Sequence, residues 1–364
     1  MRLTTLKILP LSLSMLAAVM ASSHAPAVAS TNTCSPDARV LGYSDSLDKL
    51  VRDGVPLGGL SNLSYDKRSR SYVSSVDNHN HEADPARVWF FKGLNHPRVT
   101  RYPLVLRHTD GTIYTSDKTD LEGLGVLADG NFIVSSETEP SIRVFGRDGR
   151  EVRQLEIPSR FANAPLGEAK SNETFEGLTV DDHGKRVIAG MESSLEGDRS
   201  PSGDSTFRRF LVYGREGRDN FTLTKQVGYR VDPGYRVSEV QATGDGRLVV
   251  LEAAFDPATG NKARLFVTSA IDKAPDVSEV NNLASRPQRV LSKNLVVDLL
   301  NCPDLGAPAK QTQTNSLLDN FEGFHIGPLS RSNSARLTLI SDDNYSATQI
   351  TRVVRLEVSL PTSN

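Results

Sequence analysis

The chain of 364 residues carries 42 basic and 44 acidic side chains, 38% hydrophobic residues and two cysteines. That length holds one large all-β domain or two small ones. A formal net charge of −2 offers nucleic acid no basic surface, so no nucleic-acid partner is expected.

At the N-terminus, Arg2 and Lys7 precede an apolar run from Ile8 to Ala21 and then Ala27-Val28-Ala29, the pattern of a secretory signal peptide cleaved before Ser30. The run is too short, and too interrupted by Pro10 and serines, to span a membrane. Residues 1–29 are therefore read as a signal and 30–364 as one exported domain, periplasmic or extracellular, with no membrane span and expected to be a monomer. Cys34 is preceded by Thr31-Asn32-Thr33, which does not support a lipid anchor. In an exported chain Cys34 and Cys302 are most simply a disulfide; the other reading is two separate thiols.

Residues Arg39 to Tyr43 read as an outer strand, and Leu50 to Val55 lead into a first hairpin in which Gly58-Gly59-Leu60 opens and Ser74-Ser75-Val76-Asp77 closes. The following insertion holds Asn78-His79-Asn80-His81-Glu82, a polar loop that either binds a transition metal or is simply solvated, and the aromatic strand Val88-Trp89-Phe90-Phe91. From Asp120 to Glu137 runs a complete hairpin: Glu122 at its start, Asp129-Gly130 as the turn, and a β-rich return. In an antiparallel hairpin the first strand's start lies beside the second's end, so Glu122 and Glu137 share one rim. The unit returns at Glu176 and Glu192, more weakly at Glu239 and Glu252, and again at Glu322 and Asp342. Outer strands are expected at Ser141–Phe145, 151–157, 210–213, 221–227, 264–268, 290–299 and 351–358.

These repeats are too widely spaced for a solenoid and suit four-stranded blades, an inner hairpin followed by an outer one. The fold expected is an all-β propeller of six blades, with five as the alternative. A sixth blade would come from the termini or from residues 253–319. In such a ring Glu122, Glu176, Glu239 and Glu322 would converge on the mouth of the central channel, with Asp77, Glu137, Glu192, Glu252 and Asp342 just outside. Crowded carboxylates take up protons or bind a cation. Hard oxygen donors favour Ca²⁺. The competing reading is that each Glu caps backbone N–H groups of the next blade. No Gly-x-Ser-x-Gly, His-Glu-x-x-His or phosphate-cradling Gly-Lys-Ser/Thr motif occurs, and Ser61 reads as a small residue starting an inner strand.

Asp-Leu-Glu-Gly-Leu at 120–124, Phe-Glu-Gly-Leu at 175–178 and Asp-Asn-Phe-Glu-Gly-Phe at 319–324, with Ser341-Asp342-Asp343-Asn344-Tyr345 and Gln349-Ile350-Thr351, resemble the exported bacterial phytase-like family described as having esterase-like activity of phytase. The resemblance covers about residues 40 to 358. It implies a β-propeller, Ca²⁺ dependence and hydrolysis of phosphate esters, a small-molecule substrate class. On that reading Glu122, Glu176 and Glu322 are the candidate catalytic residues. Glu122, Glu176, Glu239, Glu322 and Asp342 are the candidate metal ligands, and Lys118 and Arg236 the candidate substrate-binding cations. Two departures stand out: Glu252 is followed by Ala253-Ala254, and Ser238 replaces the Asp expected before the Glu motif. A non-catalytic propeller binding a ligand or partner protein, and a lactonase-like hydrolase, are the rival readings.

Overall fold

The computed structural model describes residues 32–77, 84–115, 119–181, 184–216 and 220–361. The expected signal at 1–29, the His-containing stretch at 78–82 and Lys118 lie outside the described residues.

Five antiparallel sheets stand in a closed ring, each with its first strand innermost. Blade one is built from Ser64–Asp66, Ser71–Ser75, Arg87–Lys92 and Arg98–Val99, with Leu104–Val105 also paired to Arg87–Lys92. Blade two is Leu121–Val126, Phe132–Ser136, Ser141–Phe145 and Glu151–Gln154. Blade three is Phe175–Val180, Arg186–Met191, Phe207–Glu216 and Asn220–Arg230. Blade four is Arg236–Ala242, Leu248–Asp256, Gly260–Thr268 and Lys293–Asp298. Blade five combines Phe321–Ile326, Ser334–Ser341 and Val353–Ser359 with two strands from the other end of the chain, Ala38–Ser44 and Thr33–Ser35.

The count is thus five, the smaller of the two expected numbers. Both stretches that could have made a sixth blade are used elsewhere. The termini complete blade five, with Ala38 opposite Val358, and residues 253–319 supply the outer half of blade four and its connections. Residues 47–53 are not helical; they end in a small hairpin of Val51–Arg52 with Val55–Pro56. The described helical elements are single 3₁₀ turns, and among the described residues no helix is long and apolar enough to cross a membrane.

Local chemistry explains the hairpins. In blade two the Asp129 carboxylate accepts the Asn131 N–H at 2.9 Å, and Gly130 takes φ +88°, a left-handed value that a side chain would disfavour. The strands' alternating apolar residues then fill the seams on both faces, so each sheet is buried on two sides. Phe90 and Val73 of blade one pack with Leu124 and Phe132 of blade two; Ile133 and Ile142 of blade two pack with Leu178 and Leu211 of blade three. Phe210 of blade three meets Val240 of blade four, Leu251 of blade four meets Phe324 of blade five, and Ile340 of blade five meets Trp89 and Leu60 of blade one. At roughly 1.5–3 kcal/mol for each fully buried large apolar side chain, these seams hold the ring closed. The Cys34–Cys302 disulfide, spanning 268 residues of sequence, ties the outermost strand of blade five to the loop after blade four.

Candidate active site: an acidic mouth crossed by one guanidinium

In blades two, three and five the inner hairpin opens with the same register: Leu121 opposite Ser136, Phe175 opposite Met191, Phe321 opposite Ser341. The register then slips across the next residue, which is Glu122, Glu176 or Glu322. A bulge of this kind re-aims one side chain, and here it sets a carboxylate at the channel. The glycine that follows is needed for close approach. A Cβ on Gly177 would lie 2.6 Å from the Val240 nitrogen of blade four, and one on Gly323 would lie 2.4 Å from Asn62 Cα of blade one. The Glu-Gly pair therefore has two jobs, an acid for the mouth and a bare backbone for the seam.

Blade four keeps the register and changes the residues. Val237 faces Glu252, so the slip falls at Ser238, and Glu239 occupies the place that glycine holds elsewhere. Its carboxylate accepts the N–H groups of Leu178 at 3.1 Å and Val240 at 2.8 Å, locking blade four to blade three. The structure thus places Glu239 in a seam, outside the carboxylate groups of the mouth; one of its oxygens caps N–H groups there, and the other is buried without a hydrogen-bond partner. Glu252 is likewise one position short: it accepts from Tyr229 Oη at 2.7 Å and the Asp232 N–H at 2.9 Å and pairs with Lys293. The next residue, Ala253, stands where the other blades have acids. At the facing position Asp120, Thr174 and Asn320 accept the backbone N–H of Glu137, Glu192 and Asp342 at 3.0, 2.7 and 2.9 Å, and blade four has Arg236.

Arg236 crosses the mouth. One terminal nitrogen binds Glu176 and lies 3.3 Å from Glu192; the other lies 2.8 Å from Glu322 and 3.3 Å from the Asn320 side-chain oxygen. Asn320 in turn donates to Glu322 at 3.0 Å. Toward blades one and two the carboxylates gather differently. Asp77, Asp120 and Glu122 each offer an oxygen within 4.8 Å of the others, as do Glu122, Glu137 and Glu176. Glu122 belongs to both groups. It is 5% exposed, and Asp120 is 1% exposed.

Burial is the main force on these acids, and their mutual repulsion adds to it. The Asp120 carboxyl is pushed up to about 10, by burial first and then by Asp77, and Glu137 to about 8, by burial first and then by Glu192. Glu122 and Glu176 rise well above the usual carboxylate range through burial, then through Glu176 and Glu137 respectively. Burial also raises Glu192 and Glu322, against the opposing pull of Arg236. Asp342 is fully buried; one oxygen accepts the Asn344 N–H at 2.7 Å and the other has no hydrogen-bond partner. Burial and then Glu322 and Asp77 lift it well above its ordinary value.

A hard divalent cation fits this donor set. Each group supplies carboxylate oxygens at mutual distances that one ion can bridge; outside the groups, one oxygen each of Asp342 and Glu239 is buried without a hydrogen-bond partner. Of the residues singled out in the sequence, Glu122 and Glu176 enter these groups. Glu322 sits on the Arg236 side, Asp342 is buried between Glu322 and Asp77, and Arg236 bridges carboxylates. Asp77, Asp120 and Glu137 belong to the centre as well. Their signal was the acid closing each hairpin and the Asp-x-Glu spacing of Asp120 and Glu122. The Ser61 hydroxyl donates to the Gly59 carbonyl at 3.3 Å and has no catalytic neighbour in view.

The model of the phytase-like family, described as "Esterase-like activity of phytase", matches residues 55–345. No curated relative matches the chain. Among solved structures, a protein of unknown function from Dyadobacter fermentans aligns with 89% of this chain and 100% of its own at 11% identity and TM-score 0.42. A gluconolactonase from Xanthomonas campestris aligns over 88% and 89% at 12% identity and TM-score 0.36. Virginiamycin B lyase from Staphylococcus aureus aligns over 85% and 68% at 8% identity and TM-score 0.36.

Proposed function

Because the chain belongs to the phytase-like family, we propose that it is an exported phosphoric-ester hydrolase assisted by a cation, Ca²⁺ first among candidates, in the mouth of its channel. The observation that carries this reading is the pair of carboxylate groups sharing Glu122 beside the Arg236 guanidinium. An acid-only mouth would repel an anionic ester; a cation held among Asp77, Asp120, Glu122, Glu137 and Glu176 offsets part of that charge and, with Arg236, gives an ester oxygen positive charge to meet. When bound, the ion supplies a Lewis acid for a phosphoryl oxygen. The chain's own groups do the rest. Arg236 offers planar, paired N–H donors suited to a phosphate oxygen, and Glu322, held by Arg236 and Asn320, is the acid for proton transfer at the ester oxygen. Water is the nucleophile: its oxygen bonds to phosphorus as the bond to the ester oxygen breaks, and the alcohol leaves with the proton that Glu322 supplies.

The Cys34–Cys302 bridge supports export, since such bonds persist in oxidising compartments, and a monomer is the state proposed for the exported chain. Phosphate release from phytate and from simple phosphomonoesters, with Ca²⁺ and with chelator, tests the reading. Release that needs Ca²⁺ and stops with chelator supports it. Ca²⁺ binding without turnover of any ester would turn the mouth into a ligand-binding site.

A further inference from the structure

Glu176 has two competing partners. It is one corner of the Glu122, Glu137, Glu176 group able to hold an ion, and it is also bound by Arg236. A carboxylate oxygen facing a divalent ion and one facing a guanidinium are electrostatically alternative, because both positive charges would have to sit within a few ångströms of each other in a buried site. We propose that Arg236 is the mouth's internal counter-ion, which yields Glu176 to an arriving cation and, once released from it, turns to the anion. This rests on the cation-assisted reading above and adds an order of events to it.

Three features of the site carry the inference. Blade four has lost both acids of the repeat, Ser238 and Ala253 standing at those positions, and has gained a cation at the third, so the guanidinium is built into the ring by register. Arg236 remains anchored when Glu176 is withdrawn, because Glu192, Glu322 and Asn320 still hold it at 3.3, 2.8 and 3.3 Å. Its side chain is 27% exposed, so the group is not sealed off from solvent. The guanidinium thus serves two states: with the mouth empty it neutralises Glu176, and with the mouth loaded it presents a donor to an anion beside the ion. By thermodynamic linkage, an anion that uses this donor must tighten cation binding by the same factor as the cation tightens the anion.

Calorimetry of Ca²⁺ binding to the mature protein tests this without turnover, using wild type, Arg236→Gln and Arg236→Lys, each checked by thermal melting and each titrated with and without inorganic phosphate. Gln keeps a donor for Asn320 and Glu322 and removes the charge; Lys keeps the charge. The expected result is that Arg236→Gln binds Ca²⁺ about tenfold more tightly than wild type, within the usual range of such couplings, while phosphate no longer improves its affinity. Arg236→Lys should stay near wild type. Equal or weaker Ca²⁺ binding by Arg236→Gln, or the same gain in Arg236→Lys, would overturn the proposal and leave the cation-assisted reading intact. Binding by Arg236→Gln alone would support the competition and count against a native cation, and binding by none of the three would remove both.

Discussion

Arg236 and Ala253 face each other across the inner hairpin of blade four, at the positions where blade two sets Asp120 against Glu137. The other four blades put acid at one or both of these places, and blade four puts a cation opposite a methyl group. The mouth is therefore polarised: guanidinium toward blades three, four and five, carboxylates able to hold an ion toward blades one, two and three. A ring of identical blades would have no such direction, and a site that must hold both a cation and an anion needs one.

The glycines after the bulges make a stability prediction. A methyl on Gly177 would meet the Val240 backbone nitrogen at 2.6 Å, in a seam with no flexible side chain to give way. Gly177→Ala should lower stability by about 1–3 kcal/mol, the usual cost of overpacking. Urea unfolding checks it, with Gly203→Ala as a comparison: no atom lies within 4 Å of a Cβ there, although its φ of +85° brings backbone strain alone.

The buried acids make a pH prediction whose sign is opposite to the common carboxylate case. Glu137 titrates near 8 in the folded chain and near its ordinary 4.5 when unfolded. A raised carboxyl contributes stability that is complete below 4.5 and lost as pH climbs through about 8, because the unfolded chain releases its proton first. The chelator-treated protein should therefore melt at progressively lower temperature from about pH 4.5 to about pH 8. Saturating Ca²⁺ should flatten or reverse that slope. A chelated protein whose melting temperature rises across the same window would contradict the protonated, buried state of these acids.

The disulfide closes a loop of 268 residues, for which chain-entropy reasoning gives roughly 5–6 kcal/mol as an upper figure. Replacing both cysteines by serine should lower the unfolding midpoint while leaving the five-bladed fold, since Ala38–Ser44 still pairs with Val353–Ser359. Near-identical circular dichroism with an earlier melt is the expected pattern.

Much of this was legible in the sequence, and the exceptions have physical causes. The hairpins were readable because Asp-Gly turns and apolar alternation are local signals. The two terminal strands were readable as outer strands, and they do pair with each other, but in blade five and not in the sixth blade to which the termini could have been assigned. Blade number was harder, since the partner of an outer strand is set by distant seams: residues 253–319 look long enough for a blade but are spent on one outer half and its loops. The displacement of Glu239 was hidden for a related reason. A Glu flanked by apolar residues looks the same whether it is the bulged residue or the one after it, and only the cross-strand pairing of Val237 with Glu252 decides. Arg236 could be picked out as a cation near the motif, but its reach to Glu176, Glu192 and Glu322 depends on three blades being adjacent.

The central claim is that the mouth holds a divalent cation through Glu122 and not through Glu239, and calorimetric titration of Ca²⁺ into wild type, Glu122→Gln and Glu239→Gln tests it most directly. Glu122 belongs to both groups able to hold an ion, whereas Glu239 lies outside them and accepts the Leu178 and Val240 N–H groups with one oxygen. Wild type is expected to bind, Glu122→Gln to lose about tenfold or more in affinity, a loss of the order seen when even outer partners of a metal site are removed, and Glu239→Gln to bind as wild type does. Absence of Ca²⁺ binding by wild type, or a Glu122→Gln variant that binds as tightly as wild type, would contradict it.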